Sequence, residues 1–201
     1  MAIKGIPCEF VPVNLLTDEV ESAEHLKRNP MGYVPALELI EPTGASPGSS
    51  GGPSQFLCES IAIIEYLEEI QPQPTLLPGN ALQRARIRQM VETINAGTQP
   101  LQNPNVSQLH SSDPEEQTKW NQTWIRHGLY AYQELAKANA GLYSVGDQLT
   151  LADLVLIPQC YNALRYKLSL SEFPLLERIY NNALKTESYQ ASAPERFKEK
   201  S

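Results

Sequence analysis

The stretch DQLTLADLVLIPQCYNALRY, residues 147–166, decides how this chain folds. Thr150 stands where a helix N-cap belongs and Asp153 three residues later, an acidic variant of the capping box. Leu149 and Leu154 occupy the positions of a hydrophobic staple, and the run that follows is apolar at helical spacing. The same period extends to either side. Ile87, Val91 and Ile94 fall at i, i+4, i+7 in a segment that starts at Ala81. Trp120, Trp124, Leu129, Tyr132 and Leu135 mark a second long helix after Asp113-Pro114. FPLLERIYNNAL gives a further helix starting near Pro174, and the polar tail APERFKEKS reads as a frayed end. Residues 81–201 are therefore predicted to be all-helical.

Upstream the pattern changes. SIAIIEYLEEI carries a helical stripe, with Ile61 and Ile64 beside Ile63 and Leu67. QPQPTLLPGN, residues 71–80, holds three prolines and reads as a linker. Before the helix lie two short β-like runs, PALELI and QFLC. The Gly/Pro/Ser-rich residues 41–55 between them predict a hairpin with a swollen flexible loop. Residues 7–16 alternate and predict another strand, and MAIKG reads as the end of a helix stopped by Gly5. The chain is expected to be α/β plus all-α, with residues 1–70 as one domain, 71–80 as linker and 81–201 as the second domain. No internal repeat is present.

Composition narrows the class. The 201 residues are 41% apolar, and 23 acids against 16 bases give a net charge of −7. That balance argues against a general nucleic-acid binder, so an anionic ligand must be drawn by locally placed cations. Cys8, Cys58 and Cys160 are widely spaced and show no zinc or disulfide pattern. They are expected to be small buried residues in a reducing cytoplasm. No apolar run is long enough for a membrane span, and no signal peptide is evident. Asn105-Val-Ser107 and Asn121-Gln-Thr123 are read as chance glycosylation matches.

Four stretches could carry chemistry. In NPMGYVPALEL, a cis Val34–Pro35 bond would turn the backbone of Val34 outward to pair with an extended ligand; an ordinary edge-strand proline is the alternative. Ser60 is expected as a helix N-cap, where free N–H groups suit a carboxylate, with Glu59 beside it for an ammonium; a plain cap is the alternative. Gln99, Gln102, Asn103 and Asn105 surround Pro100, predicted to kink a helix, and face either a cleft or solvent. Arg165, about four turns past the capping box, either snorkels or faces a carboxylate, whereas Arg84, Arg86 and Arg88 read as an exposed face.

Taken together, KGIPCEFVPVNLL, NPMGYVPAL, ESIAIIEYLEE with QPTLLP, TQPLQN, YSVGDQLTLADLVLIPQ and ALRYKLSLSEFP resemble zeta-class glutathione transferases, the group that includes maleylacetoacetate isomerase. They run in family order along nearly the whole chain. The resemblance implies a thioredoxin-like N-terminal lobe, an all-helical C-terminal domain, a homodimer, and glutathione as cofactor. It implies that Val34, preceding cis-Pro35, meets the cysteinyl part of glutathione. It places Glu59, where many members have Gln, and Ser60 at the γ-glutamyl end. It matches Gln99, Asn103, Pro104 and Asn105 to positions that close over the ligand, and Arg165 to an arginine for the substrate carboxylate. The implied reaction, metal-free, is cis–trans isomerisation of maleylacetoacetate to fumarylacetoacetate in tyrosine and phenylalanine breakdown. A conjugating or dehalogenating transferase and a non-catalytic module of the same fold are the alternatives.

One feature departs from the family pattern. The Ser-Ser-Cys-type motif that faces the glutathione sulfur has no counterpart here, and Met1 aligns near the end of the family's first helix. The expectation is an N-terminally shortened chain without the lobe's first strand and most of its first helix. It would keep a folded helical domain but have weak or no isomerase activity. No catalytic residue is assignable to thiol activation, and Cys8 is not a substitute.

Overall fold

The computed structural model describes residues 1–15, 17–40 and 55–197. The chain divides into two compact units, Ile3–Pro74 and Thr75 onward.

In the first unit, β1 (Ala36–Leu39) and β2 (Gln55–Cys58) form an antiparallel hairpin pairing Ala36 with Cys58 and Leu39 with Gln55. The predicted enlarged loop lies outside the described residues, apart from Gln55, which opens β2. Helix α1 spans Ala23–Arg28 and is capped by Ser22, whose side chain accepts from the His25 N–H. Helix α2, Ser60–Ile70, follows β2 directly and buries Ile63 and Leu67 from the predicted stripe. Its N-cap is Glu59, not Ser60, which is already the first helical residue. The physical reason is the backbone of Glu59: φ is +68°, so the chain turns from strand to helix in a single left-handed residue.

Ala2–Lys4 form a 3-10 turn, followed by Gly5 at φ +62°. Lys4 is buried, its Nζ donating to the carbonyls of Gln71 at 2.6 Å and Pro74 at 3.1 Å and pairing with Glu68 at 2.7 Å. The strand predicted over residues 7–16 does not form among the described residues. Phe10, Val11 and Leu15 are all at least 60% exposed. β-propensity describes fitness for a half-buried pleated surface, and no strand is paired with this segment to supply one.

The second unit is helical: α3 (Ala81–Asn95), α4 (Pro104–His110), α5 (Pro114–Ala136), α6 (Leu151–Arg165), α7 (Pro174–Ala183) and α8 (Glu187–Ser192). Local signals set the starts. Asn80 and Gln83 exchange side-chain-to-backbone bonds at the head of α3, and Asp113 accepts from the Glu115 N–H at the head of α5. At α6, Asp153 Oδ2 accepts from both the N–H (2.8 Å) and the hydroxyl (2.9 Å) of Thr150. The core combines Ile87, Met90, Val91 and Ile94 of α3 with Ile125, Leu129, Tyr132 and Ala136 of α5 and Leu156, Cys160 and Ala163 of α6. Trp120 and Trp124 lie beside that stripe, half-buried, in a run of ring contacts from His110 to His127.

The predicted linker is partly absorbed here: Leu76 is buried and its carbonyl accepts from the Leu151 N–H at 2.9 Å. Pro100 does not kink a helix. Helix α3 stops at Asn95, and Pro100 sits in a separate 3-10 turn, Gln99–Gln102. At the tail, Pro194–Arg196 form one more such turn, and residues 198–201 lie outside the described part.

Candidate functional site

In the first unit the turn before β1 is held from below. The Tyr33 carbonyl accepts from Asn29 Nδ2 at 2.8 Å and from His25 Nε2–H at 3.0 Å. Asn29 and His25 are buried, and Asn29 Oδ1 also takes the Met31 N–H. Gly32, at φ +67°, closes the turn where a Cβ would sit 3.1 Å from the Val20 carbonyl oxygen. The Val34–Pro35 bond is cis. Val34 is half-exposed, and neither its N–H nor its carbonyl is engaged by another described residue. At the head of α2, Glu59 and Ser60 are exposed, and no side chain caps the helix. Its first N–H groups and partial positive charge are therefore open to an anion.

In the second unit, Gln102 separates from its neighbours. It is buried, donating to the Thr98 carbonyl at 3.0 Å, exchanging bonds with Gln159 at 3.1 Å, and accepting from Asn162 Nδ2 at 2.6 Å. Its amide is fully used, so Gln102 braces the turn against α6 instead of facing a ligand. Trp120 Nε1 adds a bond to the Leu101 carbonyl at 2.8 Å. Gly128 of α5 lets the chain approach closely: a Cβ there would fall 2.0 Å from Thr98 Oγ1. On this braced turn Gln99 is exposed and its Nε2 donates to Oδ1 of the half-buried Asn103 at 3.3 Å, while Pro104 and Asn105, the first residues of α4, are exposed. Arg165, the last residue of α6, is exposed and has no partner among the described residues. Arg84, Arg86 and Arg88 form an exposed face of α3, as expected.

The sequence reading missed two groups. His25 and the side chain of Asn29 set the Val34 turn, and only their burial in a polar stretch exposes the role. Cys8 corrects another expectation: it is exposed, Cys58 is half-buried, and only Cys160 is fully buried. Residues 7–15 form no strand to bury Cys8. Burial, with the Glu59 charge adding to it, pushes the Cys58 thiol up, and burial alone pushes Cys160 further. Asn121 is buried, which closes its glycosylation pattern. No cluster of three or more His, Cys, Asp or Glu among the described residues could hold a metal. A surface groove of about 440 Å³ lies elsewhere, lined by Thr123, Arg126, His127, Tyr130, Glu172 and Phe173. Its charges are already paired, Arg126 Nε to Glu172 at 2.8 Å, and it contains none of the residues above.

Comparison with known proteins matches the chain to a family. Residues 1–75 match the glutathione S-transferase N-terminal domain and residues 101–189 the glutathione S-transferase C-terminal domain. The maleylacetoacetate isomerase of Mus musculus is 38% identical over 98% of this chain and 85% of its own. A probable maleylacetoacetate isomerase of Drosophila melanogaster is 37% identical over 96% of this chain and 74% of its own. The crystal structure of maleylacetoacetate isomerase from Anaeromyxobacter dehalogenans, with glutathione bound in its active site, superposes with a TM-score of 0.84 at 40% identity, covering 97% of this chain and 87% of that one. A thioredoxin-like lobe followed by a helical domain is thus the fold, and the chain belongs to the zeta-class glutathione transferases, the family of the maleylacetoacetate isomerases.

Proposed function

We propose that this protein is a glutathione-dependent cis–trans isomerase that converts maleylacetoacetate to fumarylacetoacetate. The observation that carries the reading is the unpaired, exposed Arg165 at the end of α6, in a chain 38% identical to a maleylacetoacetate isomerase over nearly its whole length. An unpaired guanidinium suits the carboxylate of a keto-acid substrate, which it can grip by two parallel bonds.

The residues present fit glutathione. The free N–H and carbonyl of Val34, ahead of Pro35, suit the peptide part of the ligand as an added strand would. The uncapped start of α2 at Ser60 suits the α-carboxylate of its γ-glutamyl end, and the Glu59 carboxylate suits the ammonium. When bound, glutathione supplies a thiolate that adds reversibly to a double bond conjugated with a carbonyl. Its free thiol has a pKa of ~8.5. Among the described residues no side chain is assigned to lower it. In the helical unit we assign Gln99, Asn103, Pro104 and Asn105 to the ligand side, because their side chains are the accessible ones on a turn fixed by Gln102. Residues 71–80 serve as the joint between domains 1–70 and 81–201. We further propose a cytoplasmic location, which the free thiols suit, and a homodimer, which rests on the family resemblance alone. No described helix is long and apolar enough to cross a membrane.

The test is turnover by the purified chain. Maleylacetoacetate should be isomerised only when glutathione is present, and Arg165→Ala should lower kcat/KM about 10- to 100-fold, the loss of one charged hydrogen-bonded contact. Retention on immobilised glutathione without isomerisation, or with dichloroacetate consumed instead, would refute the assigned reaction. Flow-through would refute the cofactor site.

A further inference from the structure

Tyr166, the residue after Arg165, is gripped at both ends by adjacent residues of α5. Gln122 Nε2 donates to its backbone carbonyl at 2.8 Å, and Asn121 Nδ2 donates to its phenolic oxygen at 3.1 Å. That carbonyl belongs to the end of α6, where no intrahelical donor remains, so α5 supplies the missing partner. The turn beyond closes tightly: Lys167 N–H donates to the Leu164 carbonyl and Leu168 N–H to the Ala163 carbonyl, both at 3.0 Å. This is the six-to-one and five-to-two pattern of a helix stop. Its left-handed position is held by Lys167, at φ +60°, where glycine is the ordinary occupant. Leu168 and Ala163 are buried beneath it.

Two features of this arrangement cost stability. A lysine in the left-handed region is strained, and such residues persist where the surroundings over-determine them. Asn121 is 3% exposed, and its Oδ1 has no partner, a buried acceptor left unsatisfied. A leucine of similar size would fill the place without an orphaned atom. A polar residue kept there at a cost points to a role beyond packing.

We propose that Asn121 and Gln122 are positioning residues: by holding Tyr166 at its ring and its carbonyl, they fix the last turn of α6 and so the base from which Arg165 meets a substrate carboxylate. This rests on the reading of Arg165 given above. Arginine has several rotatable bonds, and preorganising its backbone reduces what binding must order. The clamp reaches Arg165 through one peptide unit, so its loss loosens the anchor without removing the charge.

The test uses the full chain and maleate, a small dicarboxylate, with its Kd measured by calorimetry in the presence of glutathione. Gln122→Ala and Tyr166→Phe each remove one arm of the clamp. Each should weaken maleate binding 3- to 10-fold and raise the KM for maleylacetoacetate in step, with glutathione affinity unchanged. The decisive comparison is a cycle with Arg165→Ala. In that background, the two clamp substitutions should have no further effect on maleate. Equal, additive losses with and without Arg165 would show a merely structural role and overturn the proposal, as would unchanged maleate affinity in both variants. If Arg165→Ala binds maleate as well as the parent, the anchor and its clamp fall together. Absence of isomerisation with maleate still bound through Arg165 refutes only the proposed reaction, and the cycle then still decides the clamp.

Discussion

Removing the Asp153 carboxylate tests whether the head of α6 is held by its buried network. Asp153 is fully buried and accepts three bonds: from the Ser144 N–H at 2.8 Å, the Thr150 N–H at 2.8 Å and the Thr150 hydroxyl at 2.9 Å. Ser144 and Thr150 are themselves 0% exposed, and Ser144 also accepts the Tyr132 hydroxyl at 2.8 Å. In Asp153→Ala the two N–H donors lose their acceptor in a place water does not reach, at about 1–3 kcal/mol each. The hydroxyl can rotate to another acceptor. Against this, the substitution removes a buried charge. Burial pushes the Asp153 carboxyl above its ordinary value despite the hydrogen bonds that oppose the shift, so the charged form costs the native state something at neutral pH. The net loss is about 3 kcal/mol, which for a chain of this length lowers Tm by roughly 6–12 °C.

Asp153→Asn keeps one oxygen but turns an NH₂ toward donors, and should fall between the two. The pH dependence has a definite sign. The folded carboxyl titrates higher than the unfolded one, so between the two values the native state binds more protons. Wild-type stability relative to Asp153→Asn should then decline as pH rises from the ordinary carboxylate value of 3.8 through the folded one. Thermal and urea unfolding followed by circular dichroism would measure both. A Tm within about 2 °C of wild type for Asp153→Ala, or a stability difference that grows with pH over that range, would refute the reasoning.

Two further predictions follow from buried groups. Lys4→Met removes an ammonium 2% exposed that pairs with Glu68 and two carbonyls, and should cost the first unit about 3 kcal/mol. Hydrogen exchange should then lose protection across residues 60–74, and unchanged protection would count against the pairing. A maleimide at neutral pH should label the exposed Cys8 first and the buried, raised-pKa Cys160 only in denaturant; equal native rates would contradict the packing.

Four helices of the second unit, α3, α5, α6 and α7, were legible in the sequence, whereas the short α4 and α8 were not. These helices announce themselves locally, through Asp113, Asp153 and Pro174 near their starts and apolar residues at 3.6-residue spacing, because helical hydrogen bonds join near neighbours. The motifs from Val34 to Arg165 were legible for the same reason, as short runs of specific residues. The features that could not be read along the chain depend on partners far apart in it. Residues 7–15 have strand composition but form no strand, since a strand exists only through its neighbour. Ser60 yielded the cap position to Glu59 because a left-handed φ is a property of the turn. Gln102 and Gln99 are chemically alike in sequence; only Gln159 and Asn162, more than fifty residues on, make one a brace and leave the other free. The grip of Asn121 and Gln122 on Tyr166 is equally invisible along the chain, because it exists only where α5 and the end of α6 meet.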